Sequence, residues 1–252
     1  MGTDIHCWIE KRVDDALGTI KGRWVLVHPL PTDAGFDTYI NEEGRKSWYE
    51  EDQPGRWEAR KAALDLGRSY DLFAMFADVR NGRGFGGIRT GDGFEPILSF
   101  EKDGVLEHAR GWPEDRCEEL RHEEPDHTPS WLTLQELNAY DWTGQIVKKC
   151  GVIPLAEYQR RLAAKETGSP NSYCGGIAGP NVETLDAARA DELLKKGELP
   201  SGMSTHVRIE WIVTYAETVS WFYDKHLPNL NEIAKREGVG PCDLRLVFYF
   251  DS

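Results

Sequence analysis

The sequence lacks the signatures of several large protein classes. Its five cysteines are scattered and form no C-x-x-C pair, which argues against a disulfide framework and against a zinc knuckle. It contains no signal-peptide pattern and no apolar run long enough to span a bilayer, so we expect a cytoplasmic protein without a membrane partner. Basic residues are outnumbered as well: the formal charge is -13 at pH 7, which argues against extended nucleic-acid binding because nucleic acids are polyanions.

The two ends of the sequence alternate between apolar and polar residues, as β-strands do. Residues 3–13 and 22–28 predict an N-terminal hairpin, and residues 244–250 predict a final strand. Chains that begin and end in strands often pair those strands in the middle of a sheet. Because helical patterns lie between them, we predict one α+β domain over residues 1–252. Its mixed, mostly antiparallel sheet has the N- and C-terminal strands central and helices packed on one face.

Capping residues indicate several helix boundaries. Ser69 is the expected N-cap of an apolar helix that ends near Asn81, where the following glycine suits a left-handed C-cap. Thr133 opens a second helix with the capping-box pattern T-L-Q-E. Residues 219–237 predict a long helix that bends at Pro228, because proline removes one helical hydrogen bond.

A loop over residues 80–93 contains six glycines and three arginines and follows a helix that is fixed in the core. Glycine lets a ligand approach backbone N–H groups, and arginine donates to phosphate, so the loop is a candidate site for a small phosphorylated, nucleotide-like ligand. An aromatic ring could stack on the base. The candidate ligand-binding residues are Arg80, Asn81, Arg83, Gly84, Phe85, Arg89 and Trp8. The alternative is a surface turn whose arginines pair with the chain's own acids.

The first strand carries a second candidate site. Asp4 and His6 are two residues apart, so both project from one face of the strand, about 7 Å from each other. Asp126 and His127, predicted on a loop, could complete a site for a divalent metal such as zinc, manganese or iron. The alternative is that these side chains are hydrogen-bonded to each other or to neighbouring strands. No other cofactor is indicated.

Several motifs recur in the same order in a family of uncharacterised tailed-bacteriophage proteins, which this chain resembles. The matching stretches are the opening M-G-T-D-I-H-C-W-I-E, the central R-S-Y-D-L-F-A-M-F-A-D-V-R-N, then H-T-P-S-W-L-T-L-Q-E-L, and the closing L-V-F-Y-F-D-S. The resemblance implies a phage product made in the host bacterial cytoplasm. By analogy, it implies an accessory role that includes counter-defence.

Three functions follow from these observations. The first is a non-enzymatic protein that binds a phosphorylated ligand between the glycine/arginine loop and the first strand. The second is a metal-dependent phosphoester hydrolase in which Asp4, His6, Asp126 and His127 hold a metal that activates water. The third is an acidic protein–protein inhibitor, with a host protein or a second copy of the chain as its partner.

Overall fold

The chain divides into two structural units, Met1–Asp141 with Val219–Ser252 and residues 142–218. The computed structural model describes residues 3–14, 22–30, 56–88, 109–198 and 202–251. The strands within these ranges are β1 (Asp4–Val13), β2 (Arg23–Val27), β3 (His127–Thr133), β4 (Ile146–Pro154), β5 (Val182–Asp186), β6 (Ser204–Thr214) and β7 (Leu244–Asp251). The α-helices are α1 (Arg56–Lys61), α2 (Tyr70–Ala77), α3 (Leu134–Ala139), α4 (Leu155–Ala164), α5 (Ala187–Lys196), α6 (Tyr215–Thr218) and α7 (Leu227–Glu237).

The first unit is built on an antiparallel sheet with the strand order β2-β1-β7-β3. β1 and β7, which lie near the two ends of the chain, pair along most of their lengths, from Asp4 opposite Asp251 to Lys11 opposite Leu244. The predicted hairpin of β1 and β2 is confirmed. The predicted α+β class, with the N- and C-terminal strands at the centre of a sheet, is confirmed as well.

The register of β1 and β7 defines two faces of this sheet. His6 lies opposite Tyr249, and Ile5 lies opposite Phe250, so alternate residues point to opposite sides. On the Phe250 face, α2 packs Phe73 against Phe250 with ring centroids 5.0 Å apart. On the Tyr249 face, α1 accepts the indole hydrogen bond of Trp8. Helices therefore cover both faces of this sheet, and not the single face that was predicted.

Helix ends in the first unit follow local capping chemistry. The Ser69 side chain accepts a hydrogen bond from the Leu72 backbone N–H, which confirms the predicted N-cap of α2. The helix ends earlier than predicted, at Asp78, which takes the left-handed C-cap conformation with φ of 62°. The capping box that opens α3 at Thr133 is confirmed. Before Pro228 the chain forms a π-helical turn over Phe222–His226, the kind of irregularity the missing proline N–H favours.

The second unit contains a three-stranded sheet with the order β4-β6-β5. β4 pairs with β6 antiparallel, and β5 pairs with β6 in parallel. Gly151 in β4 lies so close to aromatic side chains that an added Cβ would come within 2.8 Å of Tyr173 and 3.1 Å of Trp211. The described residues thus form two sheets where the sequence predicts one, and a single domain over residues 1–252 stays a prediction.

Candidate functional site

A cavity of about 470 Å³ lies beside the start of β1 in the first unit. Residues 63 and 64 run along the edge of β1 that β2 leaves open, since Ala63 bridges Trp8 and the Leu64 N–H donates to the Cys7 carbonyl at 2.8 Å. The chain then turns at Gly67, whose positive φ of 56° favours glycine. The lining residues are Asp4, Ile5, His6, Cys7, Arg60, Ala63, Leu64, Asp65, Gly67 and Arg68.

Arg68 and Asp4 form a two-point ion pair at the mouth of this cavity. Arg68 Nε and Nη2 each donate to one carboxylate oxygen of Asp4 at 2.6 Å. The hydrogen bonds from Arg68 are the main cause that lowers the pKa of Asp4, so that carboxyl group is ionised at neutral pH. Both side chains are half exposed. The pair uses one edge of the guanidinium, and Arg68 Nη1 makes no hydrogen bond to the part of the chain that the structure describes.

His6 is held in one orientation by two neighbours on β7. Its Nε2 lies 3.0 Å from Asp251 Oδ2, and its ring stacks on Tyr249 with centroids 4.7 Å apart. The other oxygen of Asp251 accepts the Asp4 backbone N–H at 3.0 Å, so the carboxylate is itself fixed. Because an ionised carboxylate can only accept, Nε2 carries the proton in the neutral ring, and Nδ1 holds the lone pair.

Tyr249 extends this arrangement into the core. Burial, and then the nearby Glu123 carboxylate, raise the pKa of the Tyr249 hydroxyl well above its usual range, so the phenol stays neutral. Tyr249 packs against Trp8 and other buried side chains of the Tyr249 face. A rigid aromatic wall therefore supports the His6 ring from behind.

In the described part of the glycine/arginine loop, the Asn81 side chain hydrogen-bonds to the backbone of Phe85, four residues later. The buried Asn81 amide accepts from the Phe85 N–H and donates to the Phe85 carbonyl, both at 2.7 Å. It also donates to Asp78 at 2.8 Å, and the Ile88 N–H donates to the Met75 carbonyl. Phe85 is 1% exposed, so its ring is part of the core and is not available to stack on a ligand base.

The two arginines of this loop that the structure describes, Arg80 and Arg83, both contact other residues of the chain. Arg83 pairs with Asp71, and Arg80 donates to the Thr3 hydroxyl at 2.6 Å while its guanidinium lies over the Tyr70 ring. Gly84 takes a positive φ of 71° and serves the turn. Arg89 and residues 91–93 lie outside the described residues. Of the two described arginines, Arg83 pairs with an acid, as the alternative of a surface turn expects, whereas Arg80 contacts Thr3 and Tyr70.

Trp8, the other predicted stacking residue, is 3% exposed and donates its indole N–H to the Ala59 carbonyl at 2.8 Å. Trp8 lies on the same face of the sheet as His6, and α1 covers it there. A ligand base therefore cannot reach the Trp8 ring in this arrangement.

The structure brings together only two of the four predicted metal ligands. Asp4 and His6 share the cavity, but His127 lies opposite Phe250, which places it on the other face of the sheet from His6. His127 stacks on Phe250 and lies within hydrogen-bonding distance of the Thr128 hydroxyl, at 3.0 Å. Asp126 is exposed in the bend before β3. Within the described ranges no three His, Cys, Asp or Glu side chains are arranged to hold a metal ion.

Arg60 and Arg68 line the cavity and Asp251 lies beside it, and none of these three charged residues was predicted as a site residue. Asp251 could have been found, because the predicted central pairing of the first and last strands places it opposite Asp4. Arg60 and Arg68 carry no local signal, since their segment reaches β1 through long-range contacts of Ala59, Ala63 and Leu64.

Comparisons with family models, with curated proteins and with solved structures find no match to this chain. Among the helices in the described ranges, none has both the length and the apolar character needed to cross a bilayer.

Proposed function

We propose that the chain binds a small phosphorylated ligand, with nucleotides as the first candidates, in the cavity beside the start of β1. One observation carries the proposal: Arg68 is oriented by Asp4 at the cavity mouth while its Nη1 edge stays available for an anion. A guanidinium already fixed on one side loses little conformational entropy when it donates to a phosphate oxygen on the other. The volume of about 470 Å³ lies within the range of small-molecule sites.

The cavity is less negative than the chain as a whole. Its lining contains two arginines, Arg60 and Arg68, and two aspartates, Asp4 and Asp65, whose formal charges cancel, and Asp251 lies beside it, paired with His6. The whole chain carries -13, so this cavity repels an anion far less than the average surface does. His6 adds a further polar group: with Nε2–H directed at Asp251, its Nδ1 accepts a hydrogen bond when the ring is neutral and donates one when the ring is protonated.

The proposed site includes the first strand, as the site predicted from the sequence does, but its arginines are different. Arg60 and Arg68 replace Arg80 and Arg83, whose contacts in the structure are with residues of the chain itself. The ligand class, a small phosphorylated and nucleotide-like molecule, is unchanged. A phage counter-defence role stays a proposal that depends on identifying this ligand.

The direct test is a titration of the purified chain with inorganic phosphate, 5′-mononucleotides and cyclic nucleotides, followed by thermal shift and calorimetry. We expect at least one compound to bind, and Arg68→Ala to weaken that binding by about tenfold, because the variant loses a charge-assisted hydrogen bond that solvent partly screens. Arg83→Ala is the matched control and should leave the affinity unchanged. The absence of binding by every phosphate compound would refute the proposal.

Asp4→Asn should change the affinity for phosphate in the opposite direction to Arg68→Ala. Asn keeps a side-chain oxygen that can accept from Arg68 and hold it in place, while the negative charge of Asp4 is removed, so phosphate should bind more tightly. A metal site that included Asp4 would respond in the other direction, because the variant would lose a ligand. Weaker phosphate binding by Asp4→Asn than by the wild-type chain would contradict the assignment.

A further inference from the structure

We infer that His6 is the general base of a hydrolytic reaction in this cavity, so that the bound phosphorylated compound is a phosphoester substrate. The inference rests on the proposed function, since it requires the phosphoester to occupy the cavity beside Arg68. It differs from the metal-dependent hydrolase in that His6 acts on water directly instead of binding a metal.

The geometry of His6 is that of an oriented base. Asp251 lies 3.0 Å from Nε2 and fixes the tautomer that leaves the lone pair on Nδ1. Stacking on Tyr249 fixes the plane of the ring, and the Asp4 backbone N–H fixes Asp251 in turn. In general-base catalysis the base is oriented by a neighbouring group. Here Asp251 orients His6, and Asp251 is fixed by its own hydrogen bond from Asp4. A histidine that only forms a surface ion pair does not need its carboxylate partner to be fixed by a further hydrogen bond.

His6 also lies in the right surroundings for that reaction. It lines the cavity together with Arg60 and Arg68, and its side chain is 29% exposed, so water can reach the ring. Guanidinium groups stabilise the negative charge that develops on the non-bridging phosphate oxygens during attack. The base and the groups that stabilise charge therefore line one cavity.

The reaction requires only water and side chains of this protein. His6 Nδ1 takes a proton from water while the water oxygen forms a bond to phosphorus. The bond from phosphorus to the leaving oxygen breaks, and its electron pair stays on that oxygen. The imidazolium of His6, stabilised by Asp251, then gives its proton to the leaving oxygen. The products are a phosphate with one ester bond fewer and an alcohol, and no atom is oxidised or reduced.

The test measures hydrolysis and binding separately on the full chain. Bis(4-nitrophenyl) phosphate, 4-nitrophenyl phosphate, and cyclic and linear nucleotides are incubated with the wild-type chain and with variants in buffer that contains EDTA. We expect hydrolysis of at least one compound. His6→Gln should lower kcat by about a hundredfold or more, the usual contribution of a general base, with KM within about threefold. Asp251→Asn, in which Asp251 acts as a positioning residue, should also lower kcat more than it changes KM.

His127→Gln is the control, because His127 lies on the opposite face of the same sheet and should leave kcat unchanged. Circular dichroism establishes that each variant is folded. Phosphate binding with no hydrolysis of any compound would overturn this inference and leave the proposed function standing, whereas failure of all phosphate compounds to bind would overturn both. Hydrolysis that EDTA abolishes, or that His6→Gln leaves intact, would also overturn the inference.

Discussion

Replacing Arg245 by methionine should destabilise the first unit strongly, because Arg245 neutralises a buried carboxylate. Its side chain is 2% exposed, and its Nε donates to Glu10, whose side chain is fully buried, at 2.7 Å. The other oxygen of Glu10 accepts the Cys117 N–H at 2.6 Å, so Glu10 cannot move towards solvent without breaking a further bond. The guanidinium also lies 3.9 Å from the centre of the Trp24 ring.

The expected loss follows from these contacts. Removing one partner of a buried ion pair costs about 3 to 5 kcal/mol, because the remaining charge is left without compensation. Arg245→Met should therefore lower the free energy of unfolding by about 4 kcal/mol. Adding Glu10→Gln removes the uncompensated charge and keeps the acceptor for the Cys117 N–H. The double variant should accordingly be more stable than Arg245→Met alone.

Urea unfolding monitored by hydrogen exchange is the suitable assay, because peptides from β1 and β7 report on the first unit separately. Arg121→Met is the control: Arg121 pairs with Glu118 at the surface, both side chains being more than half exposed, so the change should be below about 1 kcal/mol. A loss of under about 1 kcal/mol for Arg245→Met would refute the reasoning. So would a double variant that is less stable than the single one.

Three further predictions concern other parts of the fold. Asn81→Ala should cost about 2 kcal/mol in urea unfolding, because it removes the two buried hydrogen bonds between the Asn81 amide and the Phe85 backbone, and a loss below about 1 kcal/mol would contradict this. Burial, followed by the hydrogen bond to Asp191, raises the pKa of Tyr158 to about 12 from 10.0. The neutral phenol is thus favoured in the folded state, so this stabilisation is complete below pH 10 and lost between pH 10 and 12. Over that interval the wild-type chain should lose about 2 kcal/mol more than Tyr158→Phe, measured by urea unfolding at each pH. Thr133→Ala should cost about 1 kcal/mol by removing the N-cap of α3, and a loss near zero would show that the capping box adds nothing.

The central strands were predictable because their pattern matches their environment. β7 is apolar along nearly its whole length, as a strand covered on both faces should be. β1 alternates in sequence, although the structure buries four successive residues, Cys7 to Glu10. β3 was missed because Pro129 and the positive φ of Thr128 interrupt its pattern, and the register shifts there. β4 was missed because two lysines, a cysteine and a glycine occupy its middle.

The candidate site was harder to predict because its geometry depends on long-range pairing. Asp4 and His6 could be placed on one face from their spacing alone. Their partners Arg68 and Asp251 are far away in the chain and are brought close only by the register of the sheet and by the segment at Ala63. For the loop, the sequence shows glycines and arginines but does not show that the Asn81 amide folds back on its own turn.

Pro129 and the irregular register around it have a consequence for association between chains. β3 is the outermost of the described strands on its side of the sheet, and such strands commonly recruit strands from other molecules. A proline offers no N–H to an incoming strand, and the shifted register bends the edge out of line. Growth of the sheet by addition of foreign strands is therefore obstructed along β3, so this side of the protein resists fibril formation even though the strands behind it are apolar.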